Sequence, residues 1–489
     1  MTAATQVAQP DGRVELTDEA TKSLEQSPLY NHDLAPTRIA QRTWTTYTFA
    51  ALWISMAHCI PTYKLAAGLI APEIGMNWWQ ALTTILVGNL IVLAPILLNS
   101  HPGTKYGIPF PVFARAAYGT SGANVPAVMR ALVACGWFGI NAWIGGEALH
   151  VFFRTIWSGW PTAFGSAQPG GHFVSEWIAF ALFWSINILI VVRGMEVLRK
   201  VENLAAPFVL VMTAALVVWA ISSAHGLGPI MSAPNHFPTS GAFFKAFAPS
   251  VTAMVGFWAT LSLNMPDFTR FGRSQREQAI GQVVALPTTM TLFSAMGVVI
   301  TSATFVIYGE TIWDPVELIG HFRSTVLVGV AMFTIVVATL SVNIAANVVS
   351  PANDFANLAP KHVSFKMGGI ATGVIGVLMM PWKLAHDPRG YIYTWLLGYS
   401  GGLGSIAGVL VCDYWILRKK ELVVADLYRE GGAYSKIGTP AIVATLVGCA
   451  LAWIGIVVPF LRPVFDYAWF AGAGGSALTY YVWKRAERS

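Results

Sequence analysis

Long apolar segments recur along the whole chain and are separated by short polar stretches. An α-helix needs about 20 residues to cross the hydrocarbon core of a bilayer, and most of the segments reach that length. Twelve of them can be placed, near residues 46–70, 78–99, 127–153, 173–192, 204–223, 249–267, 282–308, 324–351, 367–382, 391–412, 438–460 and 464–483. The pattern predicts an all-α protein with twelve transmembrane helices, which we call spans one to twelve.

The composition supports an integral membrane protein. Of the 489 residues, 55% are hydrophobic and only 11% are charged, whereas soluble domains carry about 25% charged residues. The chain therefore lacks the polar surface of a soluble protein. Its excess of basic residues lies in short loops between apolar segments, so it indicates membrane topology rather than binding to nucleic acid.

The loop charges also predict an orientation. When the loops are assigned alternately to the two faces, most of the thirty lysines and arginines fall on the side of the N-terminus. Cytoplasmic loops carry such an excess, so we predict a multi-pass protein of the plasma membrane with both termini in the cytoplasm. Residues 1–43 are polar and mixed in charge, and we interpret them as a mobile cytoplasmic tail.

Span one contains residues that a simple membrane anchor would not carry, among them His58, Cys59 and Pro61. A proline removes a backbone donor, and its ring clashes with the carbonyl four residues earlier, at Ala57. Freed carbonyls at membrane depth are tolerated only inside protein or along a polar cavity. This span is therefore either a helix broken to hold an ion or a solute, or a simple proline kink.

Span six is interrupted in a similar way, by Gly256 and Pro266. Paired interrupted segments at corresponding positions of two halves are typical of inverted-repeat transporters, and five spans separate the starts of these two. The spacing predicts a five-plus-five core with two appended helices. The first repeat would cover residues 44–225, the second residues 245–415, and the appended pair residues 437–484.

Spans three and eight carry polar side chains on one helical face. In span three, Trp137 and Asn141 are four residues apart, which places a flat aromatic ring beside a carboxamide. In span eight a polar stripe steps by four, three and four residues, and its members are Asn343, Asn347, Ser350 and Asp354. Because such a stripe would be costly against lipid, we expect it to point inward. It serves either a substrate or hydrogen bonds to neighbouring helices.

The sequence contains no motif that indicates an enzyme. We find no HExxH motif, no phosphate-binding glycine loop and no paired cysteine motif. The four cysteines lie in or at the ends of apolar segments, so no disulfide framework is expected. The glycine-rich run 398–408 in span ten indicates close helix packing. An intramembrane enzyme and a channel are the alternatives to a transporter, and nothing in the sequence predicts an oligomeric state.

Four runs in these segments resemble motifs of the nucleobase:cation symporter-1 family, which includes hydantoin, allantoin and nucleobase permeases. The runs are residues 102–111 (PGTKYGIPFP), 137–140 (WFGI), 264–271 (NMPDFTRF) and 343–352 (NIAANVVSPA). The similarity extends from about Arg42 to Tyr428. It implies the LeuT-type fold, which agrees with the five-plus-five interpretation. It also implies a secondary active transporter that needs no cofactor beyond a coupling ion.

The resemblance further implies a substrate site for a flat ring, held between one tryptophan of span three and one of span six and bonded by an amide of span eight. The corresponding residues are Trp137, Trp258 with its neighbour Phe257, Asn347, Asn141 and Cys59. Asn141 is one methylene shorter than the glutamine of hydantoin-type relatives. Cys59 occupies a position that often carries Gln or Asn. Both differences weaken the inference that this chain shares the substrate of any particular relative.

A cation site is implied as well, and its oxygen ligands would be the carbonyls of Ser55, His58 and Ala338 and the hydroxyl of Ser341. The adjacent position is Val342, where sodium-binding relatives have threonine. A methyl group cannot coordinate a hard cation, which prefers oxygen ligands. Sodium coupling and proton coupling are therefore both open. The candidate proton carriers are His58, Glu147 and Asp267.

The resemblance does not single out one substrate. Residues 137–147 are most similar to nucleobase-transporting relatives, whereas residues 264–271 and 381–384 are equally similar to allantoin permeases. We expect the import of a nucleobase such as uracil, with allantoin or hydantoin as the alternative. The expected partners are this small heterocycle and the lipid bilayer.

Overall fold

The structure is a computed structural model that describes residues 5–193, 210–232, 235–384 and 387–487. The regular secondary structure of these residues is helical, apart from one antiparallel pair of short strands near the N-terminus, β1 (Gln6–Ala8) and β2 (Val14–Leu16). The prediction of an all-α fold is confirmed.

The helices of the first half are α1 (Asp18–Glu25), α2 (Thr46–Ala57), α3 (Ile60–Ile70), α4 (Trp78–Tyr106), α5 (Phe110–Tyr118), α6 (Asn124–Ile156), α7 (Val174–Arg193), α8 (Leu210–Ser223) and α9 (Leu227–Met231). The next are α10 (Ser240–Phe257), α11 (Ala259–Asn264), α12 (Pro266–Thr269), α13 (Gln275–Tyr308), α14 (Pro315–Gly320), α15 (Thr325–Asn347), α16 (Val349–Leu358), α17 (Phe365–Leu378) and α18 (Pro381–Leu384). The last are α19 (Leu397–Val411), α20 (Thr439–Val457), α21 (Arg462–Asp466) and α22 (Ala468–Ala486).

Wider π-helical turns at Gly390–Leu396 and Cys412–Leu417 extend α19 at both ends, so span ten is one continuous helix. Short 3-10 turns lie at His32–Leu34, Ile39–Gln41, Trp160–Thr162, Pro169–Gly171, Val424–Tyr428 and Pro459–Leu461.

Helices occupy all twelve predicted span positions in the described ranges. Among the residues that the structure describes, seven helical stretches are long and apolar enough to cross a membrane, and they correspond to spans two, three, four, seven, eight, ten and eleven. Spans one and six are broken, and spans five and nine are short, at Leu210–Ser223 and Phe365–Leu378. The start of span five, residues 204–209, lies outside the described residues. A total of twelve crossings stays a prediction.

Span one is broken where the sequence predicted. α2 ends at Ala57, and α3 begins at Ile60 with Pro61 in its first turn. A proline is tolerated there because the first N–H groups of a helix have no partner within it. The simple proline kink is therefore the wrong one of the two alternatives, since the chain leaves the helical path for two residues.

Span six is broken as well, directly after Phe257. Trp258 has φ −101° and ψ 7°, and α11 begins on its far side. Pro266 starts a further short helix, α12. The two interrupted spans predicted from the sequence are thus both interrupted in the structure.

The helices pack around span three. α6 contacts α7, α15, α16 and α17, while α13 contacts α2, α3 and α4, and α10 contacts α4 and α19. The glycines of span ten allow close packing against α22, as predicted. A methyl group on Gly404 or Gly408 would lie only 2.4 or 2.2 Å from a carbonyl oxygen of α22.

The N-terminal segment is folded against the loops at one end of the bundle, so the prediction of a mobile tail was wrong. Asn31 donates to the carbonyls of Pro360 and Val363. The Tyr428 hydroxyl donates to the Leu34 carbonyl at 2.6 Å. The segment looked solvated because it is polar, but its polar groups bond to backbone in distant loops.

Arg42 joins this segment to the end of span two. Its side chain is buried and donates to the carbonyls of Val14, Thr37, Thr104 and Lys105 at 2.9 to 3.3 Å. Burial lowers the pKa of Arg42 to about 10, so the guanidinium stays charged at neutral pH. One cation therefore satisfies four backbone acceptors.

Gly107 ends α4 in a left-handed conformation with φ +70°, which glycine adopts without strain. A methyl group at this position would lie 2.5 Å from Nη2 of Arg42. Gly107, the second of the two glycines in the run 102–111, is therefore needed both for the turn and for the approach of Arg42.

We predict that Arg42→Ala destabilises the protein while Arg38→Ala does not. Hydrogen bonds to a charged group contribute about 1.5–3 kcal/mol, and the substitution leaves buried carbonyls without their donor. Arg38 is a matched control because 61% of its side chain is exposed. The midpoint of thermal unfolding in detergent measures the difference. Equal midpoints for the two variants would contradict the prediction.

Candidate functional site

The two tryptophans implied as the walls of a substrate site both contact Phe257. The Phe257 ring is 5.3 Å from Trp137 and 4.9 Å from Trp258, edge-on to both, with interplanar angles of 78° and 89°. All three side chains are buried. Spans three and six thus meet in one aromatic cluster, directly at the break in span six.

Trp53 connects this cluster to span one. Its ring is fully buried and lies edge-on to Trp258 at 5.1 Å. Within the described ranges, neither of these two indole N–H groups has a hydrogen-bond partner. The helix before the first break therefore packs directly on the residue of the second break.

Asn141 presents a buried acceptor next to Trp137. Its Nδ2 donates to the Trp137 carbonyl one turn earlier at 3.0 Å. Its Oδ1 is buried and accepts no hydrogen bond from any described residue. The carboxamide is therefore held by its nitrogen, and its oxygen is able to accept an N–H group.

Asn347 is the last residue of α15 and belongs to a chain of amides. Its Nδ2 donates to Oδ1 of Asn343 at 3.0 Å. Asn343 in turn donates to Oδ1 of Asn187 at 3.2 Å and to the Phe138 carbonyl at 3.3 Å. Asn343 thus joins spans three, four and eight and orients the Asn347 carboxamide.

The remaining members of the stripe bond to other helices. Ser350 accepts a hydrogen bond from Asn264 of α11, and Asp354 pairs with Arg130 of α6 at 3.4 Å. All four stripe residues are buried, as predicted. Asn343, Ser350 and Asp354 thus bond to other helices, as the structural interpretation of the stripe predicted, whereas Asn347 bonds to Asn343 within its own span.

The break in span one releases two backbone carbonyls from the helical ladder. The Cys59 N–H bonds to the Ala57 carbonyl at 3.0 Å, and the Thr62 N–H bonds to the Cys59 carbonyl at 3.1 Å. In a continuous helix these donors would serve Ser55 and His58, four residues earlier. The released carbonyls are those of the candidate cation site.

The other half of that candidate site lies on α15, which packs against α2 and α3. Ala338, Ser341 and Val342 are buried there. His58, Cys59 and Ala338 line one largely apolar cavity of about 430 Å³. The structure therefore brings the two halves onto neighbouring helices, with the methyl groups of Val342 in place of a hydroxyl.

The three candidate proton carriers lie in different surroundings. The His58 ring stacks on Phe293 at 4.1 Å, and its Nε2 bonds to the Thr213 hydroxyl at 3.0 Å. It therefore lies beside the candidate cation site, against spans five and seven.

Asp267 and Glu147 already have defined partners. Oδ1 of Asp267 accepts the Phe110 N–H at 2.9 Å, at the start of α5. Oε1 of Glu147 accepts the Trp143 indole N–H at 2.7 Å, one turn along α6. Asp267 thus has the structural role of a helix cap.

Span ten packs an aromatic face against Trp137 that was not predicted from the sequence. The rings of Tyr391 and Trp395 lie 6.1 and 6.0 Å from the Trp137 ring, and the Tyr399 hydroxyl accepts its indole N–H at 3.2 Å. These three residues are spaced by four, which was the available signal. Only the glycines of this span had been interpreted, as packing residues.

A protein-family model described as a permease for cytosine/purines, uracil, thiamine and allantoin matches residues 36–472. An allantoin permease of Bacillus subtilis is 42% identical over 462 residues, which are 94% of each chain. A purine-uracil permease of Arabidopsis thaliana is also 42% identical, over 89% of this chain and 72% of its own.

Among solved structures, the transporter Mhp1 is similar over nearly the whole chain. Its inward-facing conformation has a TM-score of 0.76 and 24% identity and covers 95% of each chain. Its closed conformation with bromovinylhydantoin bound has a TM-score of 0.75 and 25% identity, covering 94% of this chain and 96% of its own. The chain is thus a multi-pass membrane permease, not an enzyme, and it belongs to the nucleobase:cation symporter-1 family with its LeuT-type fold.

Proposed function

We propose that this permease imports a flat heterocycle with a cyclic amide or imide edge, and that uracil is its substrate. The observation that carries the proposal is the buried cluster of Trp137, Phe257 and Trp258 next to the free amide oxygen of Asn141. Offset stacking on an indole suits a flat ring. The carboxamides supply the polar contacts that such a ring needs at its edge.

We infer that Phe257 turns aside when the substrate binds. Its ring lies edge-on to both indoles, 5.3 Å from Trp137 and 4.9 Å from Trp258, so a ring stacked on these indoles would compete with Phe257 for the same contacts. The residue is the last of α10, next to Trp258 with its non-helical dihedral angles. We infer that closure around the substrate and a change at the break in span six occur together.

The two carboxamides favour a ring that carries both N–H and C=O groups. A carboxamide has acceptor and donor atoms, and Oδ1 of Asn141 is a buried acceptor. A ligand that leaves a buried polar atom unpaired loses about 1–3 kcal/mol. Uracil offers an N–H flanked by two carbonyls, so it is able to satisfy such groups.

Allantoin is the second candidate substrate. It carries a hydantoin ring with the same kind of edge. The Bacillus subtilis allantoin permease is as similar in identity as the plant purine-uracil permease, and this chain covers a larger share of it. Transport measurements with both compounds therefore distinguish uracil from allantoin as the substrate.

We propose cation-coupled alternating access in the plasma membrane, with both termini in the cytoplasm. The released carbonyls of Ser55 and His58 would contribute to a cation site with Ala338 and Ser341. Because Val342 supplies no oxygen, we propose a proton as the coupling ion, or sodium at a weak site. The orientation rests on the excess of basic residues in the loops on the N-terminal side.

We predict saturable, accumulating uptake of radiolabelled uracil in proteoliposomes, with competition by allantoin stronger than by adenine. Trp137→Ala and Asn347→Ala should abolish this uptake because they remove a stacking wall and the edge contact. Trp157→Ala, at the exposed end of the same helix, is the matched control and should retain it. A panel of uracil, cytosine, adenine, allantoin and benzylhydantoin identifies the substrate.

Three results would contradict this proposal. Normal uptake by folded Trp137→Ala and Asn347→Ala proteins would remove the site assignment. Flux that neither saturates nor accumulates solute against a gradient would indicate a channel. Recovery of a chemically altered compound from the liposomes would indicate an enzyme.

We predict that Val342→Thr increases the sodium dependence of uptake. The substitution keeps the side-chain shape and adds one hydroxyl beside Ser341, which is an oxygen ligand of the kind that a hard cation requires. Uptake with and without a sodium gradient, and with a protonophore, measures the effect. Full sodium dependence of the unmodified protein, unchanged in the variant, would show that Val342 does not weaken a sodium site.

A further inference from the structure

One hydroxyl group joins spans three, six and ten beside the proposed substrate site. The Tyr399 hydroxyl accepts the indole N–H of Trp137 at 3.2 Å and donates to the Gly256 carbonyl at 2.8 Å. A tyrosine hydroxyl has one donor and an acceptor oxygen, so both of its functions are used. Trp137 and the end of α10 are thereby connected through a single atom.

We propose that Tyr399 is a positioning residue of the substrate site, which fixes the Trp137 indole relative to the break in span six. This inference rests on the proposed function, in which the Trp137 indole stacks on the substrate ring. Tyr399 acts through Trp137 and has no assigned contact with the substrate.

The accepting carbonyl belongs to a helix end. α10 ends at Phe257, and the last four carbonyls of a helix have no regular partner within it. Gly256 is among these residues, and at the break its carbonyl accepts the N–H of Trp258, two residues on, instead of the donor four residues on that a continuous helix would supply. The Tyr399 hydroxyl is a second donor to this carbonyl, and it comes from another span.

The packing of Gly256 brings this carbonyl within reach of span ten. A methyl group at Gly256 would lie 2.7 Å from the Leu396 carbonyl oxygen and 3.1 Å from the Ser400 side chain. Only a residue without a side chain allows α10 to approach α19 this closely. Gly256, in the middle of span six, thus allows the close packing of α10 on span ten that brings its carbonyl to the Tyr399 hydroxyl.

Span ten contacts the other broken helix through the same face. The Tyr391 hydroxyl donates to the Pro61 carbonyl in the first turn of α3 at 3.1 Å, and its ring lies edge-on to Trp137. Tyr391 and Tyr399 are two turns apart. The orientation of Trp137 is therefore linked to both interrupted spans, which are the parts expected to move during alternating access.

The test compares Tyr399→Phe with Tyr393→Phe in uracil uptake by proteoliposomes. Tyr393 is a matched control because its hydroxyl bonds to the Ser250 hydroxyl at 3.0 Å and so joins the same two helices, α10 and span ten. We expect Tyr399→Phe to raise the KM about three- to tenfold, as for the loss of one or two neutral hydrogen bonds. Its maximal rate should stay within about twofold, and Tyr393→Phe should change neither value.

A second pair of variants tests whether the effect passes through Trp137. Trp137→Phe keeps an aromatic ring but has no indole N–H. If Tyr399 acts on that group, Tyr399→Phe raises the KM less in the Trp137→Phe background than alone, because the two residues are coupled.

An unchanged KM in Tyr399→Phe, equal losses in both tyrosine variants, or independent effects of the Trp137 and Tyr399 substitutions would each overturn the inference. Absence of uptake of every panel compound by the unmodified protein would instead overturn the proposed function, and this inference with it.

Discussion

The structure depends on one constraint, which is that backbone hydrogen-bonding groups at membrane depth need partners inside the protein. Pro61 has no N–H, so span one is not a continuous helix, and the N–H groups on either side of the break turn to nearer carbonyls. The carbonyls of Ser55 and His58 lose their helical donors as a result. A break of this kind is stable only in a protein interior that offers polar partners, and the carbonyls it releases are the ones that we propose as cation ligands.

The second break is held in the same region by aromatic side chains. Trp53, from the helix before the first break, packs on Trp258 at the second, and Phe257 contacts both Trp258 and Trp137. Span ten closes the cluster with hydroxyl groups that donate to carbonyls of both broken spans. Because each contact joins elements from different parts of the chain, a movement at one break changes the surroundings of the other. This linkage is what a transporter needs if solute and coupling ion are to move together.

Local signals predicted much of this arrangement. Pro61 and Pro266 indicated interrupted helices because the effect of proline is local, and the spacing of Asn343, Asn347, Ser350 and Asp354 indicated a buried face because helix geometry is regular. The N-terminal segment was misinterpreted because its partners, such as the loop carbonyls that accept from Asn31, are more than 300 residues away in sequence. The spacing of Tyr391, Trp395 and Tyr399 marked an aromatic face of span ten, but the partners of Tyr399, Trp137 and Gly256, lie in distant parts of the chain and could not be predicted from that spacing. Sequence patterns show which face of a helix is buried, but the residues that this face contacts depend on the packing of the whole bundle.

The central claim is that a flat heterocycle binds at the meeting point of the two breaks. The most direct test is an experimentally determined structure of the protein with uracil bound. We expect density for a ring stacked on the Trp137 indole, with its polar edge at Asn141 and Asn347 and with Phe257 turned aside. Density for uracil in the cavity beside His58 and Thr213, with no ring against Trp137, would contradict it.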